Sequence, residues 1–335
     1  MFRIFHNTTF DFIRWWRLAV GLTVAFIAIG AGSLAIKGVN YSIEFTGGTL
    51  KQLTFQTPTE PGKIRAALDR GGFHDAEIQQ FGSNRDFTLR VRGAQDVAAQ
   101  AAGAELVSKR VDSVLTSAFG ANNVHVVRTE AIGPRVGSEL RRNAVLAILL
   151  SFGITLVYLA IRFEWRFGLA AVIATGHDVF TTLAFVKLMH LEVSLTVVAA
   201  LLTVLGYSLN DTIIIFDRVR EDLRKGRKED LYHTLNRGIN ETLPRSILTH
   251  ATTAAATLAL LIFAGEVIRP FAWVMMFGII TGTFSSIYIA GPMLLWIEAK
   301  YPRNSMSTAW KTSAKTSSTA TPTLRTKPST VTATR

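Results

Sequence analysis

The sequence predicts a polytopic α-helical membrane protein with six transmembrane helices and a ferredoxin-like α+β domain (βαββαβ) on the extracytoplasmic side, between helices 1 and 2. First, 49% of the 335 residues are hydrophobic, although the formal charge is +12. Second, the apolar residues gather in blocks of about 20, the length that crosses a bilayer. Third, a long mixed polar and apolar stretch separates the first two blocks. The six blocks are residues 18–36, 143–161, 167–187, 193–216, 246–264 and 270–296.

The first block could be a cleavable signal peptide, because Arg14 and Arg17 precede it. At 19 residues, however, it is longer than the apolar core of a signal peptide, which has about 7–15. We therefore expect residues 18–36 to stay attached as a membrane anchor, preceded by the short N-terminal segment 1–17.

The positions of lysine and arginine predict the orientation of the chain, because cytoplasmic loops are enriched in both. Of the two short outer loops, 188–192 has no Lys or Arg and 265–269 has only Arg269. The inner segments 1–17, 162–166, 217–245 and 297–335 carry 3, 2, 8 and 7 Lys or Arg residues. Both termini are therefore expected in the cytoplasm. This distribution favours a topology signal over nucleic-acid binding, the other function that a pI near 10.2 suggests. No cysteine is present, which excludes disulfides and thiolate metal sites.

Residues 37–142 are expected to form the small outer domain. The helix from 61 begins at a proline, and the strand from 86 alternates apolar and polar side chains as "DFTLRVR". The longer helix carries an apolar stripe at helical spacing. The predicted elements are strand 48–56, helix 61–71, strand 77–82, strand 86–92, helix 95–119 and strand 123–129. This order is typical of the ferredoxin-like fold.

Two segments lie outside the predicted spans on the inner side. Residues 217–245 form a basic cytoplasmic loop that mixes both charge signs at helical spacing, which favours one or two helices lying on the inner leaflet. The tail 298–335 is rich in Ser, Thr, Lys and Pro and is expected to be disordered.

A few ionisable residues fall inside the predicted spans, where a charge costs at least about 2.5–3.5 kcal/mol. Asp211 lies in "GYSLNDTIIIFDR", roughly 8–9 Å from the inner end of its span at 1.5 Å per residue. Arg245 enters the next span from the same side, so we expect the two to meet. Thr203, Tyr207 and Asn210 share a face with Asp211, and Thr249 and Thr252 share one with Arg245. Two such polar stripes would support a file of water.

A carboxyl group at this position can alternate between protonated and ionised forms, because burial and a nearby cation act on it in opposite directions. Motion of Arg245 relative to Asp211 would then couple proton transfer to helix motion. The alternative is a static salt bridge or a hydrogen-bonded helix cap. Asp178 is a second candidate relay group, or else a hydrogen-bonding partner for a neighbouring helix. His177 beside it projects about 100° away on a helix, so the two need not touch.

Other motifs predict packing rather than chemistry. Gly278, Gly282 and Ser286 recur every four residues on the last span, as in small-residue helix contacts. Asp217 and Arg218 are expected to be interfacial anchors. The phosphate-binding pattern GxxxxGK[ST] does not occur, so the chain does not read as an ATPase.

Several stretches together resemble the SecF branch of the SecD/SecF family of bacterial protein-export subunits. The resemblance covers residues 1–298, and its strength is the joint spacing of the motifs. Glu44 stands where the family usually has Asp, and Pro244 and His250 are also unusual for it. The stretches are "NYSIEFTGGT" (40–49), which resembles the family's Asp-Phe-x-Gly-Gly element, "AIGPRVGSELRRNA" (131–144), "SLNDTIIIFDRVRE" (208–221), "NETLPRSILT" (240–249) and "FSSIYIAGP" (284–292).

The resemblance implies a place in the resistance–nodulation–division superfamily, whose halves have one span, an outer domain and five further spans. It implies a non-enzymatic subunit in the bacterial inner membrane that uses the proton motive force, with a periplasmic outer domain and no cofactor or metal beyond the coupling proton. The implied partners are SecD as the pseudo-symmetric half, the SecYEG channel, YajC and exported preproteins.

The family's residues also map onto this sequence by motif. Its transmembrane Asp and Arg fall on Asp211 and Arg245, and His250 would add a further proton site. Glu44, Gly47, Gly48, Gly133 and Pro134 belong to motifs at the junctions of the outer domain with the spans.

Three other interpretations remain open. A lipid or drug exporter half of the same superfamily would need a larger outer domain with a substrate cleft. An intramembrane aspartyl protease would use Asp178 and Asp211, since two carboxyl groups sharing a proton can hydrolyse a peptide bond. The Tyr-Asp and Gly-x-Gly-Asp elements of such proteases are not present around these residues. The third interpretation is a structural scaffold without proton conduction.

Overall fold

The structure, a computed structural model, describes residues 8–91, 104–225, 229–265 and 267–302. Six helices in these ranges are long and apolar enough to cross a membrane, and a small antiparallel sheet follows the first of them. The chain is therefore a multi-pass membrane protein with the number of spans expected from its sequence. The six candidate spans are Ile13–Lys37, Arg135–Arg162, Trp165–Leu188, Leu195–Arg224, Leu231–Phe263 and Arg269–Lys300.

We number the elements in chain order. The last span is a single helical path in which a π-helical turn, Ser286–Ala290, joins α9 to α10. The elements are α1 (Trp16–Lys37), α2 (Ile43–Thr46), β1 (Gly48–Phe55), α3 (Pro61–Arg70), β2 (Glu77–Gln80), β3 (Asp86–Val91), α4 (Ala104–Phe119), β4 (Val124–Ile132), α5 (Pro134–Arg162), α6 (Trp165–Leu188), α7 (Leu195–Arg224), α8 (Leu231–Phe263), α9 (Arg269–Ser285) and α10 (Gly291–Lys300).

The outer domain consists of a four-stranded sheet with α3 and α4 on one face. The strand order is β2-β3-β1-β4, and every neighbouring pair is antiparallel. Leu53 of β1 lies opposite Phe87 of β3 and Val126 of β4, next to a bulge in the pairing of β1 with β4. Strand residues Leu53, Phe55 and Phe87 are fully buried against apolar residues of α3 and α4. Removing apolar side chains from water on this face stabilises the domain.

The bundle has two distinct ends. At one end, the backbone of Asn40 and Ser42 pairs with Val193, which precedes α7, so the outer domain sits on the α6–α7 connection. At the other end, the N-terminal segment lies along the start of α8: Asn236 accepts a hydrogen bond from the backbone of Ile13 and Asn240 accepts one from Phe10.

The N-terminal segment is held by side chains as well. The Tyr232 hydroxyl and the Asn236 amide both donate to Asp11 and hold the pKa of that carboxyl below its usual value. Because these contacts join residues 10–13 to α8, the described segment before α1 and the start of α8 lie at the same end of the bundle, opposite the outer domain.

Several boundaries differ from the sequence prediction. Helix α5 begins at Pro134 and continues into the second span, so residues 134–142 belong to that helix rather than to the outer domain. The basic segment 217–245 is not a separate loop, because α7 continues to Arg224 and α8 begins at Leu231. Residues 298–300 are helical rather than part of a disordered tail. The rest of the predicted tail, from 303, and the start of the predicted helix 95–119, up to 103, lie outside the described residues.

Charges explain why the helices continue beyond the apolar blocks. Asp222 of α7 is buried and lies 3.1 Å from Nε of Arg237 on α8, and Arg218 pairs with Glu241 across the same two helices. A buried charge requires such partners. These arginines therefore hold the α7–α8 hairpin together.

Candidate functional site

The predicted site centres on Asp211, a buried residue of α7. In the part of the chain that the structure describes, its side-chain hydrogen bond and its ion pair both come from α8. The Ser246 hydroxyl donates to Oδ1 at 3.1 Å, and Nε2 of His250 lies 3.5 Å from Oδ2. Ser246 and His250 are four residues apart and thus project from the same face of α8. The carboxyl group is consequently enclosed by a hydroxyl and an imidazole.

The orientation of the His250 ring is fixed by two further contacts. Its Nδ1 lies 2.7 Å from the carbonyl oxygen of Ser246. A carbonyl oxygen only accepts, so Nδ1 carries a proton and Nε2 points toward Asp211 with either a lone pair or a second proton. The ring also meets Tyr207 edge to face, with centroids 5.2 Å apart, and the Tyr207 hydroxyl donates to the carbonyl oxygen of Thr249 at 3.1 Å.

This geometry allows a proton to be held in two ways. Either Asp211 is protonated beside a neutral His250, or His250 carries both ring protons and pairs with the Asp211 carboxylate. Each form is electrically neutral as a pair, which is the state that a low-dielectric environment favours. The pair can therefore hold one proton without an arginine in contact.

Arg245 forms no ion pair with Asp211 within 4.0 Å among the described residues, although it interacts with that carboxyl group electrostatically. It is exposed, although it immediately precedes Ser246, and His250 supplies the one ion-pair contact of Asp211 within 4.0 Å among the described residues. Asn210 is also exposed, because neighbouring residues on a helix project about 100° apart. Thr249 donates to the backbone of Arg245 at 2.9 Å. Ser246 was not identified from the sequence; its spacing of four from His250 is the signal that could have revealed it.

A second carboxyl–imidazole pair also contacts α7. Asp178 of α6 is buried, Nδ1 of His177 lies 3.0 Å from its Oδ1, and the Ser208 hydroxyl donates to its Oδ2. The two adjacent side chains thus touch, although helical geometry alone does not require it. Ser208 lies one turn before Asp211 on α7, so neighbouring positions of one helix contact the two pairs. Nε2 of His177 is buried without a hydrogen-bond partner among the described residues.

The small residues of the last span lie against α7. A side chain at Gly278 would overlap Val204, and a Cβ at Gly282 would lie 2.9 Å from Cβ of Ser208. Ser286, in the π-helical turn, places its hydroxyl 2.9 Å from that of Thr212. The three positions thus meet α7 residues that also recur every four positions, which fixes the depth and rotation of the helix that carries Asp211.

The junction motifs connect the outer domain to the bundle. Glu44, in the short helix α2, accepts a hydrogen bond from the backbone N–H of Leu195, the first residue of α7, at 2.5 Å. Gly47 and Gly48 have φ values of 73° and 130°, which favour glycine. Gly133 caps α5 and Pro134 is its first residue, a position that suits proline.

Two family profiles match this chain. The profile described as "Protein export membrane protein SecD/SecF, C-terminal" matches residues 111–300, and the "SecD/SecF GG Motif" matches residues 32–59. The second match includes Glu44, Gly47 and Gly48, and the first includes both carboxyl–imidazole pairs and the small residues of the last span.

Curated relatives match most of this chain. A protein translocase subunit SecF from Gemmatimonas aurantiaca is 64% identical over 305 residues, covering 90% of this chain and 91% of the relative. The subunit of the same name from Vibrio alginolyticus is 41% identical over 88% of this chain and 92% of the relative.

Solved structures give a similar result. The crystal structure of SecDF from Thermus thermophilus, described as a translocon-associated membrane protein, superposes with a TM-score of 0.76 at 36% identity, covering 88% of this chain. SecDF in a super-membrane-facing form gives a TM-score of 0.62 at 34% identity, covering 95% of this chain. The chain spans 39% and 40% of the lengths of those two proteins. Its sequence, its fold and its junction motif thus agree, and the chain belongs to the SecF family of protein translocase subunits.

Proposed function

We propose that this chain is an accessory subunit of the Sec protein translocase and uses the proton motive force to promote late steps of polypeptide export. The observation that carries the proposal is the Asp211–His250 pair, a proton-holding site buried between α7 and α8. A proton entering or leaving this pair changes its net charge in a medium where charge is costly. The helices that hold it then favour a different arrangement.

The proposal extends to partners and location. The SecDF structures are more than twice as long as this chain, which supports SecD as the second half of the assembly. We further propose the SecYEG channel, YajC and exported preproteins as partners. We place the protein in the bacterial inner membrane with both termini in the cytoplasm, where the excess of Lys and Arg would lie. The proton is the proposed coupling ion, and the proposal requires no other cofactor.

We also propose that the outer domain is ferredoxin-like. Its elements follow the order strand–helix–strand–strand–helix–strand, and its strands lie in the order β2-β3-β1-β4. The sheet would then receive movement from the bundle and pass it to the emerging polypeptide.

The competing chemistry of an aspartyl protease is disfavoured by the contacts of the two carboxyl groups. Such an enzyme needs two carboxyl groups that share one proton. Asp178 and Asp211 each contact their own imidazole instead, and they do so through different helices. The small outer domain likewise argues against an exporter half.

The test replaces Asp211 with Asn, which still accepts the Ser246 hydrogen bond but cannot carry the proton. In membranes that contain the complete translocase, D211N should assemble normally, while export should fall to the level seen when an ionophore collapses the gradient. The matched control is Asp217→Asn, which removes a carboxylate from the exposed end of the same helix. Export by D211N that still responds fully to the gradient would refute the proposal.

A further inference from the structure

The N-terminal end of α7 is tied to the outer domain by the side chain of Glu44. Its carboxylate accepts the backbone N–H of Leu195 at 2.5 Å and lies 3.4 Å from the hydroxyl of Ser42. A negative charge at this position also interacts favourably with the partial positive charge of a helix N-terminus. Charge-assisted hydrogen bonds of this kind are stronger than neutral ones.

Backbone contacts fix the same segment in register. Ser42 N–H donates to the carbonyl oxygen of Val193 at 2.9 Å, and Val193 N–H donates to that of Asn40 at 2.7 Å. Ser194 then caps α7 by accepting the N–H of Val197 at 3.3 Å. Residues on both sides of the Glu44 contact are therefore fixed by hydrogen bonds, so residues 40–44 and the start of α7 are expected to move together.

From Glu44 the chain leads directly into the sheet. Gly47 and Gly48 follow with positive φ values, and Gly48 is already the first residue of β1, which lies between β3 and β4. Gly137 of α5 approaches so closely that a Cβ on it would lie 2.9 Å from the backbone nitrogen of Gly47. Movement of Glu44 is thus passed to a central strand.

A second contact links the same connection to the sheet. Arg90 of β3 is buried, pairs with Glu192 two residues before Ser194, and lies 3.1 Å from Glu77 of β2. Two carboxylates therefore connect this region to the outer domain. Glu44 reaches α7 from the outer-domain side, and Glu192 reaches the sheet from the α6–α7 connection.

The other end of this connection is the proton site. Asp211 is 16 residues beyond Leu195 in an uninterrupted helix, a separation of about 24 Å at 1.5 Å per residue. A helix of this length transmits a shift or rotation from one end to the other. We propose that Glu44 is a positioning residue that transmits the movement of α7, set by the proton state of Asp211, to the outer domain. This inference rests on the proposed function and identifies Glu44 as the contact through which α7 would move the outer domain.

The test uses the complex of this chain with its partner and three variants at one position. Glu44→Ala removes the contact, Glu44→Gln keeps an acceptor but loses the charge, and Glu44→Asp keeps the charge on a shorter side chain. We expect the gradient-dependent part of export to fall about tenfold in E44A, as for the loss of a hydrogen bond to a charged group. E44Q should fall less, and E44D should retain most of that export. Because E44Q preserves a hydrogen bond, it remains informative if E44A fails to assemble.

A distance measurement separates transmission from folding. The chain has no cysteine, so a single cysteine at the exposed Gln79 of β2 and another at the exposed Leu258 of α8 accept spin labels without background. Asp211→Asn should shift the distance between the labels in the otherwise native chain. The same substitution should produce a much smaller shift in E44A, in which the Arg90–Glu192 pair and the backbone contacts remain, and an intermediate one in E44Q.

The outcomes separate the two proposals. A shift of equal size with and without Glu44, or gradient-dependent export that E44A and E44Q retain in full, would overturn the role of Glu44 alone. The absence of any shift on Asp211→Asn in the native chain would overturn the transmission as well. Full gradient dependence in D211N is a different result, and it refutes the proposed function itself.

Discussion

At the scale of single residues, His250 changes the chemistry available to Asp211. An arginine stays protonated under all physiological conditions and can only stabilise a carboxylate. An imidazole exchanges protons near neutral pH. With Nδ1 committed to the carbonyl oxygen of Ser246, the ring nitrogen of His250 that can take or release a proton beside Asp211 is Nε2. One proton can therefore be held by either group.

This contact predicts the effect of His250→Gln. Glutamine fills similar space, but its amide cannot take up a proton, so the pair loses one of its two ways of holding the proton. Gradient-dependent export should therefore fall several-fold, while Asp211 keeps its hydrogen bond from Ser246. The measurement is gradient-dependent export by H250Q in membranes that contain the complete translocase.

The matched control is His233→Gln, which removes an exposed imidazole from the first turn of the same helix. H233Q should export at the native level. Native export by H250Q would show instead that the imidazole is a structural neighbour of Asp211 and takes no part in holding its proton.

At the scale of elements, α7 is the helix that every feature of the site shares. It contacts α6 through Ser208, α8 through Asp211 and α9 through Val204. Helix α8 carries a proline, Pro244, two residues before Ser246, and it remains helical through it. Proline cannot donate to the carbonyl oxygen four residues earlier, so α8 is weakened between its contacts with the N-terminal segment and its contacts with Asp211.

The close contact of α7 with α9 predicts the effect of Gly278→Ala. The new methyl group would overlap Val204, and overpacking of this kind costs about 1–3 kcal/mol. The thermal midpoint of the purified complex should therefore fall by several degrees. Gly206→Ala is the matched control, because a Cβ there meets nothing within 4 Å. Alanine is the better helix former, so G206A should leave the midpoint unchanged or raise it. Equal midpoints for G278A and the native chain would contradict the proposed contact.

The sequence predicted the spans well and the contacts of the site less well, for a physical reason. Blocks of apolar residues are a local property, so the six spans are found where expected. The partner of Asp211 depends on how α8 is rotated, and one residue of rotation separates the exposed Arg245 from the buried Ser246. Spacing along one helix does not fix that rotation. Hydropathy likewise misses the ends of α7 and α8, where ion pairs rather than apolar residues support the helix.

At the scale of the whole molecule, the helices divide into a central and a peripheral set. In the apolar 18-residue stretch of each span, 56% of the residues of α7 and 61% of those of the last span are buried. Only 11% are buried in the corresponding stretches of α1 and α5. In the apolar stretch of α8, 17% of the residues are buried, and the exposed residues of this helix include Arg245 and Leu248. An arginine facing lipid inside a span costs at least about 2.5–3.5 kcal/mol. This surface is therefore expected to be covered in the assembled protein.

The position of Arg245 leads to a prediction about assembly. A photo-crosslinking amino acid at Leu248, one turn from Arg245, should form a covalent adduct with the partner half when both are present in the membrane. The same amino acid at Thr257, which is buried on α8, should react only within this chain. The adduct is identified by its mass after denaturing electrophoresis. Crosslinking of Leu248 to lipid alone, with the partner present, would show that Arg245 faces the bilayer. In that case the neutral Asp211–His250 pair, without the arginine, would be the entire proton site.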